Sequence, residues 1–177
     1  RVFRVAQLAS SAFFSLSHGA NDAQKTMGII VGLLVSSQRY FANQQGMLHH
    51  LFITRADHIP GWVEITAYTA IALGTALGGW RIVHTMGSRI TRLRPVGGFC
   101  AETGGALSIL LATRFGIPVS TTHTITGAIV GVGAASRVTA VRWNVAKDIV
   151  VAWIITMPAA GLIAAAFYFL AGACGLT

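Results

Sequence analysis

The chain has 177 residues, of which 54% are hydrophobic and only 10% are charged, and its formal net charge is +8. With a mean hydropathy of +0.65, it carries too little charge for the surface of a soluble domain, which indicates an all-α integral membrane protein in a lipid bilayer. The cations fall in short loops between apolar segments, which is typical of membrane topology and not of nucleic-acid binding. The two cysteines have no metal-ligand spacing, so neither a resident metal nor a cofactor is predicted.

Four apolar regions follow one another along the chain and form a single predicted membrane domain, 1–177. They cover residues 5–35, 62–80, 96–135 and 149–171. Since about 20 residues cross a bilayer as a helix, the second and fourth regions each predict one transmembrane helix. The first and third regions are too long for one simple crossing, so each is expected to be broken, tilted or doubled back.

Polar residues interrupt the first region at its centre. They are His18, Asn21, Asp22 and Lys25. Charged groups at membrane depth persist mostly where they face a bundle interior or a wet cavity. Gly19 lies before Asn21 and Gly28 lies after Lys25, and the two glycines favour a helix that unwinds here and offers carbonyl oxygens to a cation. The pattern therefore predicts a discontinuous helix over 5–35; the alternative is a continuous helix with an internal ion pair between Asp22 and Lys25.

The loops on either side of the third region are both rich in cations, at 81–94 and 136–148. If both loops lie on the cytoplasmic face, as the positive-inside rule favours, region 96–135 must enter and leave on the same side. Gly116 and Pro118 are expected to end its first arm. The third region is therefore predicted to be a re-entrant helical hairpin.

Three consecutive hydroxyl residues follow this break, and they are good N-cap material for the second arm. They are Ser120, Thr121 and Thr122. A helix N-terminus inside the membrane offers free N–H groups and a positive dipole end, which predicts an anion pocket. The alternative is an ordinary capped loop at the membrane surface. His123, like His18, is a candidate to orient these groups or to titrate.

Glu102 is a single carboxylate among glycines and alkyl side chains in the first arm, without a lysine or arginine close in sequence. Such a carboxylate either stays neutral, carries a coupling proton or binds a cation. Asp22 and Glu102 are therefore the candidates for a coupling Na⁺ or H⁺.

Broken helices, a helix N-terminus aimed at an anion and buried carboxylates are the parts of a cation-coupled secondary transporter. An intramembrane hydrolase using Ser120, His123 and Asp22 is a weaker alternative, because the sequence lacks the strained G-x-S-x-G turn. A structural membrane subunit that transports nothing is a third possibility. No catalytic residue is assigned, and an enzyme is not expected.

Three motifs carry a resemblance to a known family: in chain order, GANDAQKTMGII, AETGGA and PVSTTHTITGAIVGVG. Over essentially its whole length the chain resembles the carboxy-terminal half of the inorganic phosphate transporter (PiT) family. The resemblance implies symport of inorganic phosphate with Na⁺ or H⁺ and, for a bacterial member, location in the inner membrane. It also implies roles for individual residues: Asn21 and Asp22 fall on the Asn-Asp signature, Glu102 on the hairpin glutamate, and Ser120, Thr121 and Thr122 on the Ser-Thr-Thr-His stretch. The expected phosphate-binding residues are Asn21, Lys25, Ser120, Thr121 and Thr122.

The family resemblance also implies an inverted repeat of two such halves, whereas this sequence contains each motif once. A complete transport site is therefore expected to need either a missing amino-terminal half or a second subunit of opposite orientation. Because the sequence begins at Arg1 and not at methionine, a segment of a longer chain is the favoured expectation.

Overall fold

The computed structural model describes residues 2–42, 46 and 51–174. Every regular element in these ranges is helical, which confirms the all-α class. The helices are α1 Val2–Ser36, α2 Gln38–Ala42, α3 Gly61–His84, α4 Pro95–Arg114, α5 Thr121–Ser136 and α6 Trp143–Ala173. A π-helical segment, Thr85–Arg89, follows α3, and a 3₁₀ turn, Val138–Ala140, precedes α6.

Helix α1 is uninterrupted over its 35 residues, so the predicted break within region 5–35 is wrong. The segment contains no proline, and its central polar side chains bond to groups on the α4–α5 pair. Since Asn21, Asp22 and Lys25 find partners on the α4–α5 pair and its turn, the backbone need not open at Gly19 or Gly28, and the helical hydrogen bonds persist. The structure shows the alternative arrangement, a continuous helix in which Asp22 and Lys25 form an ion pair.

Helix α4 lies beside α1 and runs parallel to it. Near the start of both helices, Phe3 packs edge-on against Phe99 with their ring centroids 6.4 Å apart. Near the end of α4, the Asn21 amide donates a hydrogen bond to the Thr113 hydroxyl at 2.9 Å. Because the order of these contacts is the same along both helices, the last turn of α4 lies beside the centre of α1.

Helices α4 and α5 form an antiparallel pair, as the hairpin prediction requires. A Cβ atom added at Gly97 would lie 3.3 Å from Val132, and one added at Gly105 would lie 3.6 Å from Ile125. Gly97 lies early in α4 and Val132 late in α5, so the two chains run in opposite directions. The helical pair is therefore present, while its re-entry on one side of a membrane stays a prediction.

The turn between α4 and α5 is closed by Gly116, whose φ of +68° is a left-handed conformation that suits glycine. Its N–H donates to the Thr113 carbonyl at 3.0 Å, and the Ile117 N–H donates to the Ala112 carbonyl at 2.9 Å. This pair of bonds is a Schellman motif, which satisfies carbonyls at the end of a helix. Ser120 then adopts an extended conformation as the N-cap of α5, so the predicted helix start is where the sequence places it.

Helix α3 packs against the second half of α1. Ala23 and Met27 of α1 form a buried apolar cluster with Val63 and Ala67 near the start of α3. Further along, residues of α3 line a cavity together with residues from the first half of α1. The two helices are therefore in contact at one end and separated by open space at the other.

The segments that precede α4 and follow α5 are joined to each other. The Arg142 N–H donates to the Ile90 carbonyl at 2.9 Å, and the Thr91 hydroxyl donates to the Ala140 carbonyl at 3.1 Å. Ile90 is fully buried beneath this contact. Both cation-rich loops therefore lie at the same end of the molecule, beside the beginning of α1.

Within the described ranges, α4 and α6 are long and apolar enough to cross a membrane. The predicted span 149–171 lies inside α6, which stays helical through Pro158 and buries none of its residues in the described structure. The predicted span 62–80 lies inside α3, whose crossing of a membrane stays a prediction.

Candidate functional site

Asp22 is the centre of a hydrogen-bonded group that joins α1 to the start of α5. Its Oδ2 lies 2.9 Å from Nε2 of His18 and accepts a hydrogen bond from the Thr121 hydroxyl at 3.2 Å. Its Oδ1 lies 3.1 Å from Nζ of Lys25, and the same ammonium donates to the Val119 carbonyl at 2.5 Å. The chain thus brings the polar centre of α1 against the α4–α5 turn.

Helical periodicity explains half of this geometry. His18 and Lys25 are four residues before and three residues after Asp22, so all three side chains share one face of α1. The other half comes from α5, whose first residue, Thr121, is buried against α1. The Asp22 carboxylate therefore lies beside the positive end of the α5 dipole, an end that attracts negative charge.

Asn21 lies next to this group, and its side-chain amide is only partly satisfied. Its amide nitrogen donates to Thr113, but its Oδ1 is buried and has no hydrogen-bond partner within the described structure. Rotating the amide by half a turn would pair the oxygen with Thr113 and leave the nitrogen unpaired instead. Since an unpaired buried polar atom costs about 1–3 kcal/mol, either orientation presents a group that a ligand can satisfy.

The three predicted hydroxyls occupy different environments at the start of α5. Ser120 caps the helix weakly, because its Oγ accepts from the His123 N–H at 3.4 Å. Thr121 is buried against Asp22, whereas Thr122 is exposed and lines a cavity. The first N–H groups of any α-helix have no partner within the helix, so the helix start can supply backbone donors beside these hydroxyls.

His123 does not join the Asp22 group. Its ring stacks on Trp153 of α6 with centroids 3.7 Å apart and planes inclined by 29°. The histidine in contact with Asp22 is His18. Ser120, His123 and Asp22 therefore do not form a catalytic triad in the structure. The arrangement therefore gives no support to the hydrolase alternative.

Glu102 forms a second polar group, on α4. It accepts hydrogen bonds from the hydroxyls of Ser10 at 2.5 Å and Ser11 at 2.8 Å, both on α1. Ser10 precedes Asp22 by about 18 Å of helix rise at about 1.5 Å per residue. The two predicted coupling carboxylates, Asp22 on α1 and Glu102 on α4, are therefore too far apart to bind the same ion.

Ser10 has two acceptors within hydrogen-bonding distance. Its Oγ lies 2.9 Å from the Gln7 carbonyl and 2.5 Å from Oε2 of Glu102, and its single hydrogen is shared between them. No Lys or Arg in the described ranges forms an ion pair with Glu102.

The site residues line two different cavities. The larger, of about 740 Å³, lies between α1, α3, α4 and α5 and is lined by His18, Glu102, Thr121 and Thr122 among others. The smaller, of about 190 Å³, is lined by Asn21, Lys25 and the α4–α5 turn. Asp22 bonds to residues of both.

Among residues 2–42, 46 and 51–174, no group of three or more His, Cys, Asp or Glu side chains is placed to hold a metal ion.

Comparison with known proteins assigns the chain to a family. The model of the phosphate transporter family matches residues 1–164. The chain belongs to this family. The predicted resemblance is thereby confirmed, and the family is one of transporters and not of enzymes. Membership also implies a membrane protein, in agreement with the length and apolarity of α4 and α6.

Similar members come from several bacteria and share the name "Probable low-affinity inorganic phosphate transporter". The protein of Rhizobium meliloti (strain 1021) is 63% identical over 169 residues, covering 96% of this chain and 47% of that protein. The protein of Bacillus subtilis (strain 168) is 43% identical over 168 residues, covering 95% and 46%. That of Mycobacterium bovis is 42% identical over 168 residues, covering 95% and 37%. The chain thus spans less than half the length of these relatives. No solved structure matches it.

Several residues that complete the site in this family member were not predicted. They are Ser10, Ser11, Thr113 and Trp153. A signal existed for Ser10: it precedes Asn21 by three helical turns, so both lie on one face of α1, where both are buried. For Thr113 and Trp153 the partners come from distant helices, and no local pattern indicates the contact.

Proposed function

We propose that this chain forms one half of a pathway that carries inorganic phosphate across a bacterial cytoplasmic membrane in symport with H⁺ or Na⁺. Family membership and the names of the relatives support phosphate as the cargo. The observation that carries the proposal is the meeting of α1 and α5, where Asp22 and Thr121 are 3.2 Å apart. This contact joins a charged group to a helix start that can bind an anion.

The bound phosphate would lie at the start of α5, within reach of Ser120, Thr121 and Thr122. Lys25 supplies the positive charge, since its ammonium already reaches the Val119 carbonyl in the turn that precedes these hydroxyls. In the structure Lys25 is paired with Asp22. Phosphate binding would draw Lys25 from this pair, and the Asp22 carboxylate would then be free to take a cation or a proton. Substrate and coupling ion are linked in this way, because each is stabilised when the other binds.

Asn21 fits the same scheme through its unpaired amide atom. With the amide nitrogen toward the smaller cavity, it donates to a phosphate oxygen; with the oxygen toward the cavity, it accepts from a protonated phosphate or binds a cation. His18 orients the Asp22 carboxylate through its 2.9 Å contact. His123 has no such contact, and its proposed role is to fix the start of α5 against Trp153.

Glu102 is proposed as a second coupling group, which takes H⁺ or Na⁺. Its carboxylate is held between α4 and α1 by the hydroxyls of Ser10 and Ser11. Its position on the wall of the larger cavity gives the coupling ion a route to the pathway. Binding of that ion would compete with these two hydrogen bonds and would so alter the packing of α1 on α4.

The membrane arrangement proposed here is that of a re-entrant hairpin. The α4–α5 turn lies beside Lys25, and α1 continues to Ser36, about 16 Å further at about 1.5 Å per residue. If α1 crosses the bilayer, the turn therefore ends within it. The relatives are more than twice as long as the aligned segment, and we propose that a second half, arranged as an inverted repeat, or a second subunit completes the pathway.

The test is phosphate uptake by the full-length protein in proteoliposomes, with either a Na⁺ gradient or a pH gradient imposed. Asp22→Asn and Ser120→Ala are compared with Asp57→Asn, which removes an exposed carboxylate, and with Ser108→Ala, which removes an exposed hydroxyl. Uptake is expected to fall in the first two variants alone. Equal uptake in all four variants would rule out the site, and transport of sulfate without phosphate under either gradient would rule out the cargo.

A further inference from the structure

The two cation-rich segments flanking the α4–α5 pair form one surface. We call it the basic platform, and its exposed cations are Arg89, Arg92, Arg94, Arg137, Arg142 and Lys147. The segments are held together by the two cross-links from Ile90 and Thr91 to the opposite segment. A Cβ atom added at Gly133 would lie only 2.9 Å from Val141, so the support beneath the platform is closely packed. The backbone positions that carry the cations are therefore fixed relative to one another by the fold.

The cations of the basic platform have no partners in the part of the chain that the structure describes. None of the six side chains forms a hydrogen bond or an ion pair with any described residue. Between positions 85 and 148 the sequence contains two carboxylates, Glu102 and Asp148. Glu102 is bonded to serines of α1, which leaves Asp148 alone to offset six positive charges. Such an excess of positive charge favours an anionic partner.

Trp143 indicates the depth of the basic platform. It is the first residue of α6, its indole N–H donates to the Val138 carbonyl at 3.1 Å, and 51% of its surface is exposed. Tryptophans with a bonded N–H and an exposed ring collect at the boundary between lipid and water. After Asp148, α6 continues to Ala173 without a charge. The platform therefore lies at the level of the lipid headgroups, where an apolar helix enters the bilayer.

We propose that the basic platform binds the headgroups of anionic phospholipids such as phosphatidylglycerol. Guanidinium groups bind phosphate oxygens in a two-bonded fork, and arginines from both segments can contact one headgroup or two adjacent ones. The acyl chains would lie along the beginning of α6, where Val150 and Ile154 are exposed. A free anion would gain only the first of these contacts. The inference rests on the membrane placement proposed above and not on phosphate as the cargo.

Membrane orientation alone requires positive charge on one side, and lysine meets that requirement as well as arginine does. The basic platform instead contains five arginines, on two segments that hydrogen bonds hold together. Substituting lysine keeps the charge and removes the fork. The comparison of Arg→Lys with Arg→Gln therefore separates headgroup binding from orientation.

The experiment measures the melting temperature of the purified full-length protein in detergent while phosphatidylglycerol or phosphatidylcholine is added. Arg89→Gln/Arg137→Gln is compared with Arg39→Gln/Arg55→Gln, which removes the same number of positive charges outside the basic platform. At about 1 kcal/mol per cation near an anionic surface, the platform variant should need on the order of 30-fold more phosphatidylglycerol for the same stabilisation. The control variant should follow the wild type, and Arg89→Lys/Arg137→Lys should lie between them.

Three outcomes would overturn the proposal. The first is equal stabilisation by phosphatidylcholine, and the second is an unchanged phosphatidylglycerol requirement in the platform variant. The third is competition by water-soluble glycerol phosphate at the concentrations where the lipid acts, which would identify a site for free anions. The readout is independent of transport, since failure of phosphate uptake would leave the lipid dependence unaltered.

Discussion

The Asp22 carboxylate and the Thr121 hydroxyl are 3.2 Å apart although 99 residues of chain separate them. One lies at the centre of α1 and the other is the first residue of α5. Their contact, together with the bonds of Lys25, is where the two polar stretches of the sequence meet.

Replacing Asp22 and Lys25 singly and together separates their part in stability from their part in transport. The Asp22 side chain is 34% exposed, so the ion pair should contribute only about 0.5–1 kcal/mol. Asp22→Asn and Lys25→Gln are each expected to lower the melting temperature slightly, and the double variant should recover part of that loss. Uptake should fall about tenfold or more in all three, as expected for loss of a hydrogen bond to a charged group.

The measurements are thermal unfolding and phosphate uptake of the full-length protein, with Asp57→Asn as a control for the loss of an exposed carboxylate. Recovery of uptake in the double variant would show that the pair serves structure alone. It would contradict the proposed exchange of Lys25 between Asp22 and phosphate.

The serines beside Glu102 are expected to support coupling. Ser10→Ala and Ser11→Ala each remove one hydroxyl from the carboxyl group, which should lower uptake driven by a pH gradient by about fivefold to tenfold for about 1–1.5 kcal/mol per hydrogen bond. Ser17→Ala is the matched control, because Ser17 is also buried on α1 but bonds to the Phe13 carbonyl of its own helix. Its uptake should equal that of the wild type.

Uptake driven by a pH gradient and uptake driven by a Na⁺ gradient are measured side by side for these serine variants. If Ser10→Ala and Ser17→Ala have the same rates of uptake under each gradient, Glu102 does not act through its serine partners.

Two glycines of α5 should respond differently to alanine. At Gly133 the new methyl group would lie 2.9 Å from Val141 and 3.3 Å from Thr91, whereas at Gly131 it would meet nothing within 4 Å. Gly133→Ala should therefore destabilise the protein by about 1–3 kcal/mol, while Gly131→Ala should be neutral or stabilise it by up to about 1 kcal/mol. Thermal unfolding of the two variants measures the difference, and equal melting temperatures would contradict the packing described here.

Trp153 is expected to fix the start of α5 through His123. Trp153→Ala removes the stacked ring, whose contact is worth about 0.5–1.5 kcal/mol, and should therefore weaken phosphate binding by about threefold to tenfold. Trp153→Phe keeps an aromatic face and should retain most of the affinity. Trp62→Ala, an exposed tryptophan on α3, is the control. Phosphate-dependent protection from thermal unfolding gives the affinity; identical values for Trp153→Ala and Trp62→Ala would exclude the role.

The start of α5 was predictable from sequence, because a proline followed by Ser120, Thr121 and Thr122 is a local capping pattern that needs no knowledge of distant residues. The continuity of α1 was not. Gly19 and Gly28 indicate that a backbone can open, but whether it does depends on where Asp22 and its neighbours find partners. Those partners are Thr113, Val119 and Thr121, more than 90 positions away.

In the candidate site, too, contacts within one helix were predictable and contacts between distant helices were not. Asp22 and Lys25 were predictable as a pair, since three residues of helix bring them together. The separation of Asp22 from Glu102 was not, because it depends on the parallel alignment of α1 with α4, which places Glu102 beside Ser10. The stack of His123 on Trp153 likewise depends on the direction in which α6 leaves its loop.

The turn at Gly116 has an electrostatic consequence. It ends α4 and allows α5 to begin within a few residues, so the negative end of one helix dipole lies beside the positive end of the other. Seen from a distance the opposed dipoles largely cancel, and the pair disturbs a medium of low dielectric constant less than a single helix would. At contact distance the cancellation fails, and the start of α5 presents its N–H donors to an anion. The opposed helix ends therefore keep the long-range field of the pair weak, while the tip retains a short-range field that can hold a ligand.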